Sequence, residues 1–242
     1  MEETNTTAQA TQTKSLAQNY AVPFAIVIAG IAIAGAIYFG DTRRGSLPAI
    51  AAQNNGSSTV DPVTPDDHIL GNPDAKIVIV EYSDPECPFC KMFHPTMQRI
   101  MSEYGKSGNV AWVYRQFPIA SLHPKAHRES EAIECASKLG GNTKFWEYLN
   151  KIFEITPGNN QLDPAELPKI AQTIGLDVPA FNKCLDGGEM KAVVDKSLAS
   201  GNKAGVNGTP YSIILVNKKN IGSINGAQQY EEVKAGIDGL LK

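Results

Sequence analysis

Two cysteines separated by two residues, Cys87-Pro88-Phe89-Cys90, form the stretch of this chain best equipped for chemistry. A C-x-x-C pair either binds a metal or cycles between dithiol and disulfide. A structural zinc site needs a second pair of ligands. The remaining cysteines, Cys135 and Cys184, are far apart and lack companion histidine spacing, so redox chemistry is the expectation. The reactive species would be a thiolate, and the thiolate fraction depends on what surrounds the sulfur.

The flanking residues say what surrounds it. Ile77-Val-Ile-Val80 is a continuous apolar run of the kind that forms a fully buried strand. After a short turn, apolar residues recur at Phe89, Phe93, Met97, Ile100, Met101 and Tyr104, one face of a helix that begins at the cysteine pair. Cys87 therefore sits at a helix N-terminus, where free N–H groups and the positive dipole end lower a thiol pKa. Cys87 is expected to be the exposed, low-pKa nucleophile, and Cys90, one turn in, the buried, resolving thiol. Met92, Met97 and Met101 are expected in the helix core. Pro95 should kink the helix and Gly105 should stop it.

Val110–Phe117 is the next strand, completing a βαβ unit. A helical stretch follows. The pattern predicts Lys125–Leu139, a break at Gly140-Gly141, and Thr143–Ile155 capped by Asn142. Asp163-Pro-Ala-Glu166 reads as a capping box, with Pro168 as an alternative delayed start, for a helix ending at Gly175. Val178–Leu185 and Glu189–Ser200 complete the series. Strand periodicity returns at Tyr211–Val216, turns at Asn217–Asn220, and continues at Ile221–Ile224. Ala227–Leu241 is the closing amphipathic helix. The fold class is α/β: βαβ and ββα around a mixed sheet, with an inserted helical subdomain at about 122–204.

The chain has 242 residues, 42% hydrophobic content and a net charge of −3, which suits one domain with appendages and gives no reason to expect nucleic acid as a partner. Residues 1–19 are polar and read as a disordered tail. Residues 20–40 are uncharged and mostly apolar, long enough for one transmembrane helix; the alternative is a cleaved signal peptide. Residues 41–65 have the small, polar, Pro-punctuated composition of a flexible linker. The folded domain is 66–242. Arg43 and Arg44 alone would place the following segment in the cytoplasm. Disulfide chemistry needs an oxidising space, so the expected topology is N-in, C-out, with the catalytic domain on the outer side of the cell membrane.

With Cys87-Pro-Phe-Cys90 on a βαβ unit, the chain resembles the thioredoxin superfamily, specifically the DsbA-like thiol–disulfide oxidoreductases. The resemblance rests on Asp67-His-Ile-Leu-Gly-Asn-Pro-Asp-Ala75, Glu81-Tyr-Ser-Asp-Pro-Glu-Cys-Pro-Phe-Cys90, an insert containing Lys144-Phe-Trp-Glu-Tyr148, Gly208-Thr-Pro210 before a strand, and Ile224-Asn-Gly-Ala-Gln-Gln-Tyr230. It implies that Glu81 is a buried acid relaying a proton on or off Cys90, rather than an exposed strand-end glutamate. It implies that Pro210 is a cis-proline facing the cysteines. Thr209, Pro88 and Phe89 would contact the substrate chain, Thr209 through its backbone. Cys135 and Cys184, both in the insert, are expected to form a structural disulfide; two buried thiols are the alternative. His94 is expected at the surface or in packing, and His68, His123 and His127 show no partner spacing. Arg115 is a weak candidate to balance Glu81.

The implied activity is disulfide formation in exported proteins with free cysteines, with reoxidation by a quinone-linked membrane protein of the DsbB or VKOR type and no metal or organic cofactor. The alternatives are a membrane-tethered reductase or isomerase on the same fold, or a non-catalytic binding module for exported chains. Phe89 departs from DsbA, which carries a histidine beside its second cysteine. An aromatic ring without charge or donor stabilises the Cys87 thiolate less, so a milder oxidant is expected.

Overall fold

Ile77–Ser83 forms β2, a strand buried along its whole length, and the rest of the fold is layered on its two faces. The computed structural model describes residues 60–242. The expected tail, membrane span and most of the linker lie outside the described residues. Five strands make one sheet in the order β1-β3-β2-β4-β5: β1 is His68–Gly71, β3 Val110–Gln116, β4 Tyr211–Val216 and β5 Lys219–Asn225. β2 and β3 are parallel, and all the other pairings are antiparallel. The sheet is mixed, as the order of elements predicts.

The period of two sorts the central strands into two apolar faces. Ile77, Ile79, Trp112, Tyr114 and Ile214 share a core with helix α1 (Pro88–Ile100), which Cys87 caps and which carries Cys90, and with α2 (Ala126–Ile155) and α6 (Tyr230–Leu241). Val78, Val80, Tyr82, Val113 and Ile213 face the other way. That second face is covered by α5 (Lys191–Lys203) and by Val60 and Val63. The close approach of α5 depends on Gly201, where an added Cβ would lie 2.4 Å from Phe117 and 2.9 Å from Tyr82. The helices α3 (Glu166–Thr173) and α4 (Val178–Asp186) extend the first layer. Among the described residues no helix is long and apolar enough to cross a membrane.

Several local expectations need correction. β1 is not predicted by its sequence; it is only four residues long and draws its order from pairing with β3. Gly105 ends the helix as expected, but through a π-helical turn at Met101–Gly105 that follows α1, and Pro95 lies inside α1. The predicted break at Gly140-Gly141 is present, for two helices, taken together as α2, meet there across a kink. Gly141, at φ 72°, takes a conformation glycine tolerates, and α2 resumes at once. Asn142 does not cap a helix; its amide donates to the Ile69 carbonyl at 2.7 Å and ties α2 to β1. The hairpin turn is only Asn217-Lys218, both at positive φ, so β5 begins at Lys219. α3 begins at Glu166, with Pro168 inside it, and α6 begins later than predicted because Gln229 and Glu232 form its capping box. Met92 is not core but 61% exposed, on the outer side of α1.

Candidate active site

The loop Asp84–Glu86 connects the buried strand to α1, and Cys87 caps the helix with extended backbone at φ −74° and ψ 120°. Pro88 follows in the first helical positions, where a missing N–H costs nothing. Cys87 and Cys90 are free thiols. Cys90 is wholly enclosed. Cys87, expected to be exposed, is itself only 6% exposed, because the opposite loop lies over it. There the Thr209–Pro210 peptide is cis, and the Cys87 thiol donates to the Thr209 carbonyl at 3.4 Å. Topology brings them together: β2 and β4 are neighbours in register, so the start of β4 meets the end of β2. Phe89, by contrast, is 60% exposed beside the pair.

The two sulfurs have opposite proton affinities. Cys87 is held well below the ordinary 9.0, at about 6. The largest cause is a hydrogen bond from Cys90, with backbone N–H groups of Cys90 and Phe89 and the Thr209 side chain adding to it against the cost of burial. Cys90 is driven well above 9.0, first by burial and then by the thiolate beside it. Its other contact is the Asp84 N–H, which donates to its sulfur at 3.5 Å. A stabilised outer thiolate and a protonated inner thiol divide the chemistry between an attacking group and a resolving one.

Glu81 is 1% exposed at the end of β2, which excludes the exposed strand-end alternative. Burial pushes its carboxyl up to about 7, opposed by Ser83 and Trp112. The Trp112 indole donates to Glu81 Oε2 at 2.9 Å and fixes that oxygen. Ser83 stands among Glu81, Cys90 and the Tyr114 hydroxyl, and weakens the proton's hold on each. A group that exchanges protons near neutrality therefore shares Ser83 as a neighbour with the thiol that must lose one.

Sequence reading missed a second layer of acids. Asp84 is fully buried; its carboxylate accepts from the N–H groups of Glu86 and Ile119, each at 2.8 Å, and pairs with His123 Nδ1 at 2.9 Å. Glu86 Oε2 accepts from the Asn160 N–H at 2.6 Å, and the Glu86 carbonyl from Asn159 at 2.8 Å. Glu129 on α2 faces Glu86, and burial together with that carboxyl pushes it up to about 9. Acidic residues inside Asp84-Pro-Glu-Cys87 were the available signal; their partners are far away in the chain. Two other candidates fall elsewhere. Arg115 points to the opposite sheet face, where its Nε donates to Asp67 at 2.8 Å, and it does not balance Glu81. His94 is buried, accepts or donates to Asn150 at 2.8 Å, and packs beside Phe153 and Trp112. Burial lowers it to about 4, so it stays neutral.

Cys135 on α2 and Cys184 on α4 are joined by a disulfide, with their Cα atoms 6.0 Å apart. It lies in the helical layer and belongs to the scaffold, apart from the redox pair.

A family model described as Thioredoxin matches residues 63–239. Among curated proteins, the Na(+)/H(+) antiporter NhaA 3 of Salinispora tropica is 31% identical over 150 residues, 62% of this chain and 22% of the antiporter. The antiporter NhaA 1 of Mycolicibacterium gilvum is 27% identical over 184 residues, 75% of this chain and 28% of the antiporter. The chain thus matches about a quarter of these relatives' length. Among solved structures, DsbA2 of Pseudomonas aeruginosa superposes with a TM-score of 0.62 at 26% identity, covering 74% of this chain and 96% of that one. BdbD from Bacillus subtilis gives 0.64 at 26%, covering 74% and 95%. The alpha-DsbA1 of Wolbachia pipientis gives 0.65 at 23%, covering 76% and 96%, a likeness of fold. A thioredoxin match over most of the chain, and DsbA-type structures that superpose on sheet and helical layer together, place it in a family: the chain belongs to the thioredoxin superfamily, among the DsbA-like thiol–disulfide oxidoreductases.

Proposed function

We propose that the Cys87–Cys90 pair oxidises thiols of exported proteins. The observation that carries the reading is the division of the pair: a thiolate held at about 6 on Cys87 makes it a good leaving group and stabilises the reduced form. In the oxidised protein a substrate thiolate attacks the Cys87 sulfur, the Cys87–Cys90 bond breaks, and Cys90 leaves and takes a proton. A second substrate thiolate then attacks its own sulfur in the mixed disulfide and releases Cys87 as thiolate. The substrate has lost two electrons and two protons overall, and the pair has gained the electrons. Glu81 supplies and removes the Cys90 proton. The substrate backbone lies along Thr209 before the cis-proline as an added strand, while Pro88 and Phe89 meet its side chains.

Residues 20–40 anchor the chain in a cell membrane, residues 41–65 tether residues 66–242 to it, and that catalytic domain faces the extracytoplasmic side. There a quinone-linked protein of the DsbB or VKOR type reoxidises the pair. The named antiporter activity of the relatives is no part of this reading, which rests on the thiols alone.

The test is the redox equilibrium of the full chain against glutathione, read by thiol trapping. A pair markedly more oxidising than thioredoxin, roughly −270 mV, is the expected result. A value at or below that overturns the oxidase reading and turns the reaction toward reduction. Loss of function in the Cys87→Ala/Cys90→Ala double variant separates an enzyme from a binding module, which would keep its function.

A further inference from the structure

Glu81 is sealed in the core, so a proton it takes from Cys90 needs a way out. The sheet register shows one. Glu81 on β2 is paired with Tyr114 on β3, and Tyr114 with His68 on β1. Paired residues on neighbouring strands point to the same face. Glu81, Tyr114 and His68 therefore form a polar row across three strands, on the face against which the redox helix packs. One step along, Ser83 is paired with Gln116 on the same face. Apolar side chains occupy this face on the row before, at Ile79 and Trp112.

The row leads to an opening. His68 Nε2 pairs with Glu134 at 2.8 Å, and Glu134 also accepts from Gln116 at 3.0 Å. Tyr114, Gln116, His68 and Glu134 all line a cavity of about 630 Å³ between β1, β3, α2 and α5. One water needs only about 10–15 Å³. The His68 side chain is 16% exposed and so reaches solvent. At the inner end, the buried Ser83 and Tyr114 hydroxyls and Gln116 Oε1 make no hydrogen bond of ordinary geometry among the described residues. Buried polar atoms left in that state attract water or exchange protons.

We infer that Tyr114, His68 and Glu134 carry the Cys90 proton between Glu81 and solvent through this cavity. The inference rests on Glu81 serving Cys90, as proposed above. When the reduced pair is reoxidised through a mixed disulfide on Cys87, the Cys90 S–H bond breaks and the new thiolate attacks the Cys87 sulfur. The Cys87–partner S–S bond breaks, and the partner leaves with both electrons as a thiolate. The single proton passes to Glu81, then through the Tyr114 hydroxyl, which gives one proton as it accepts another, to His68–Glu134 and water. Tyr114, His68 and Glu134 make no hydrogen bond to a reacting sulfur among the described residues and are positioning residues.

The test isolates that step. The reduced full chain is mixed with oxidised glutathione, and decay of the Cys87–glutathione mixed disulfide is followed by acid quench and mass spectrometry in H₂O and D₂O. A positioned proton-transfer group typically contributes about 10²–10⁴-fold, and one relay member is expected to carry at least about tenfold of it. Tyr114→Phe and Glu134→Gln should therefore slow the decay about tenfold or more, with a larger solvent isotope effect. The equilibrium with glutathione should stay at the wild-type value, since a route changes speed and not endpoints; the same measurement shows that each variant is folded. If Tyr114→Phe and Glu134→Gln decay at the wild-type rate while Glu81→Gln is slow, the route is wrong and the role of Glu81 stands. If Glu81→Gln is also unaffected, the role of Glu81 falls and the route with it. A slow Tyr114→Phe whose equilibrium shifts in proportion also overturns the route, because the tyrosine then acts on the thiol's stability.

Discussion

Cys87 and Cys90 belong to one turn of one helix, and both are buried, yet one is a thiolate near neutrality and the other holds its proton firmly. Burial raises both. The difference is donors: Cys87 receives hydrogen bonds from Cys90, from the helix N-terminus and from Thr209, whereas the neighbouring thiolate adds to the cost of ionising Cys90. The Phe89 side chain contributes no donor and stands in solvent. Replacing it with a histidine adds a charge-capable donor beside the sulfur. Phe89→His should lower the Cys87 pKa by on the order of one pH unit. It should also move the pair toward a more oxidising potential, by about 30 mV for each tenfold. Thiolate absorbance titrated against pH reads the first effect; an unmoved curve would show that residue 89 does not tune this site.

At the scale of elements, the site depends on helices being pinned where the strands need them. The disulfide ties α2 to α4 across a sequence separation of 49, and a loop of that length implies about 4 kcal/mol of chain-entropy stabilisation. Cys135→Ala/Cys184→Ala should therefore unfold at lower denaturant, by about 2–5 kcal/mol, while the Cys87–Cys90 equilibrium with glutathione stays put. On the opposite face, Gly201 lets α5 lie against Phe117 and Tyr82 with no room for a methyl group. Gly201→Ala is expected to cost about 1–3 kcal/mol through overpacking, measurable as a lowered chemical-denaturation midpoint. A neutral effect there would mean that α5 shifts freely on the sheet.

For the whole molecule, the junction between the redox loop and the helical layer is acidic. Glu86 clasps Asn159 and Asn160, and Glu129 of α2 faces Glu86. Around this pair stand Asp84, His123, Lys125 and Tyr148. In the fold Glu129 keeps its proton up to about 9, whereas unfolded it ionises near 4.5. Between those values the folded chain binds more protons than the unfolded chain, so stability falls as pH rises. The contribution is complete below about 4.5 and lost above about 9. Glu129→Gln should flatten this decline, gaining on the order of 1–3 kcal/mol over wild type between pH 5 and pH 9. Parallel stability curves for the two proteins would show that this carboxyl does not titrate with folding.

What the sequence determined by itself is what short range controls. The apolar run Ile77–Val80 specified a buried strand, and the periodicity after Cys87 placed that cysteine at a helix start. Helix and strand patterns are local, and so is the preference of thiolates for helix N-termini. Gly208-Thr-Pro210 and Glu81 were legible only through resemblance, because nothing local says what faces them. Tertiary structure alone decided the rest. It laid Thr209 over Cys87, so that this thiol is covered and not exposed. It paired Asp84 with His123 across 39 residues and Glu81 with Trp112 across 31. It turned Arg115 away from Glu81, since alternate residues of a strand face opposite sides and β3 presents Tyr114, not Arg115, to that row. It also brought Cys135 and Cys184 to 6.0 Å between Cα atoms, a separation set by how α2 and α4 pack. Pairings of this kind depend on strand register and helix docking, which sum weak contacts over the whole chain and leave no periodic trace in any one segment of it.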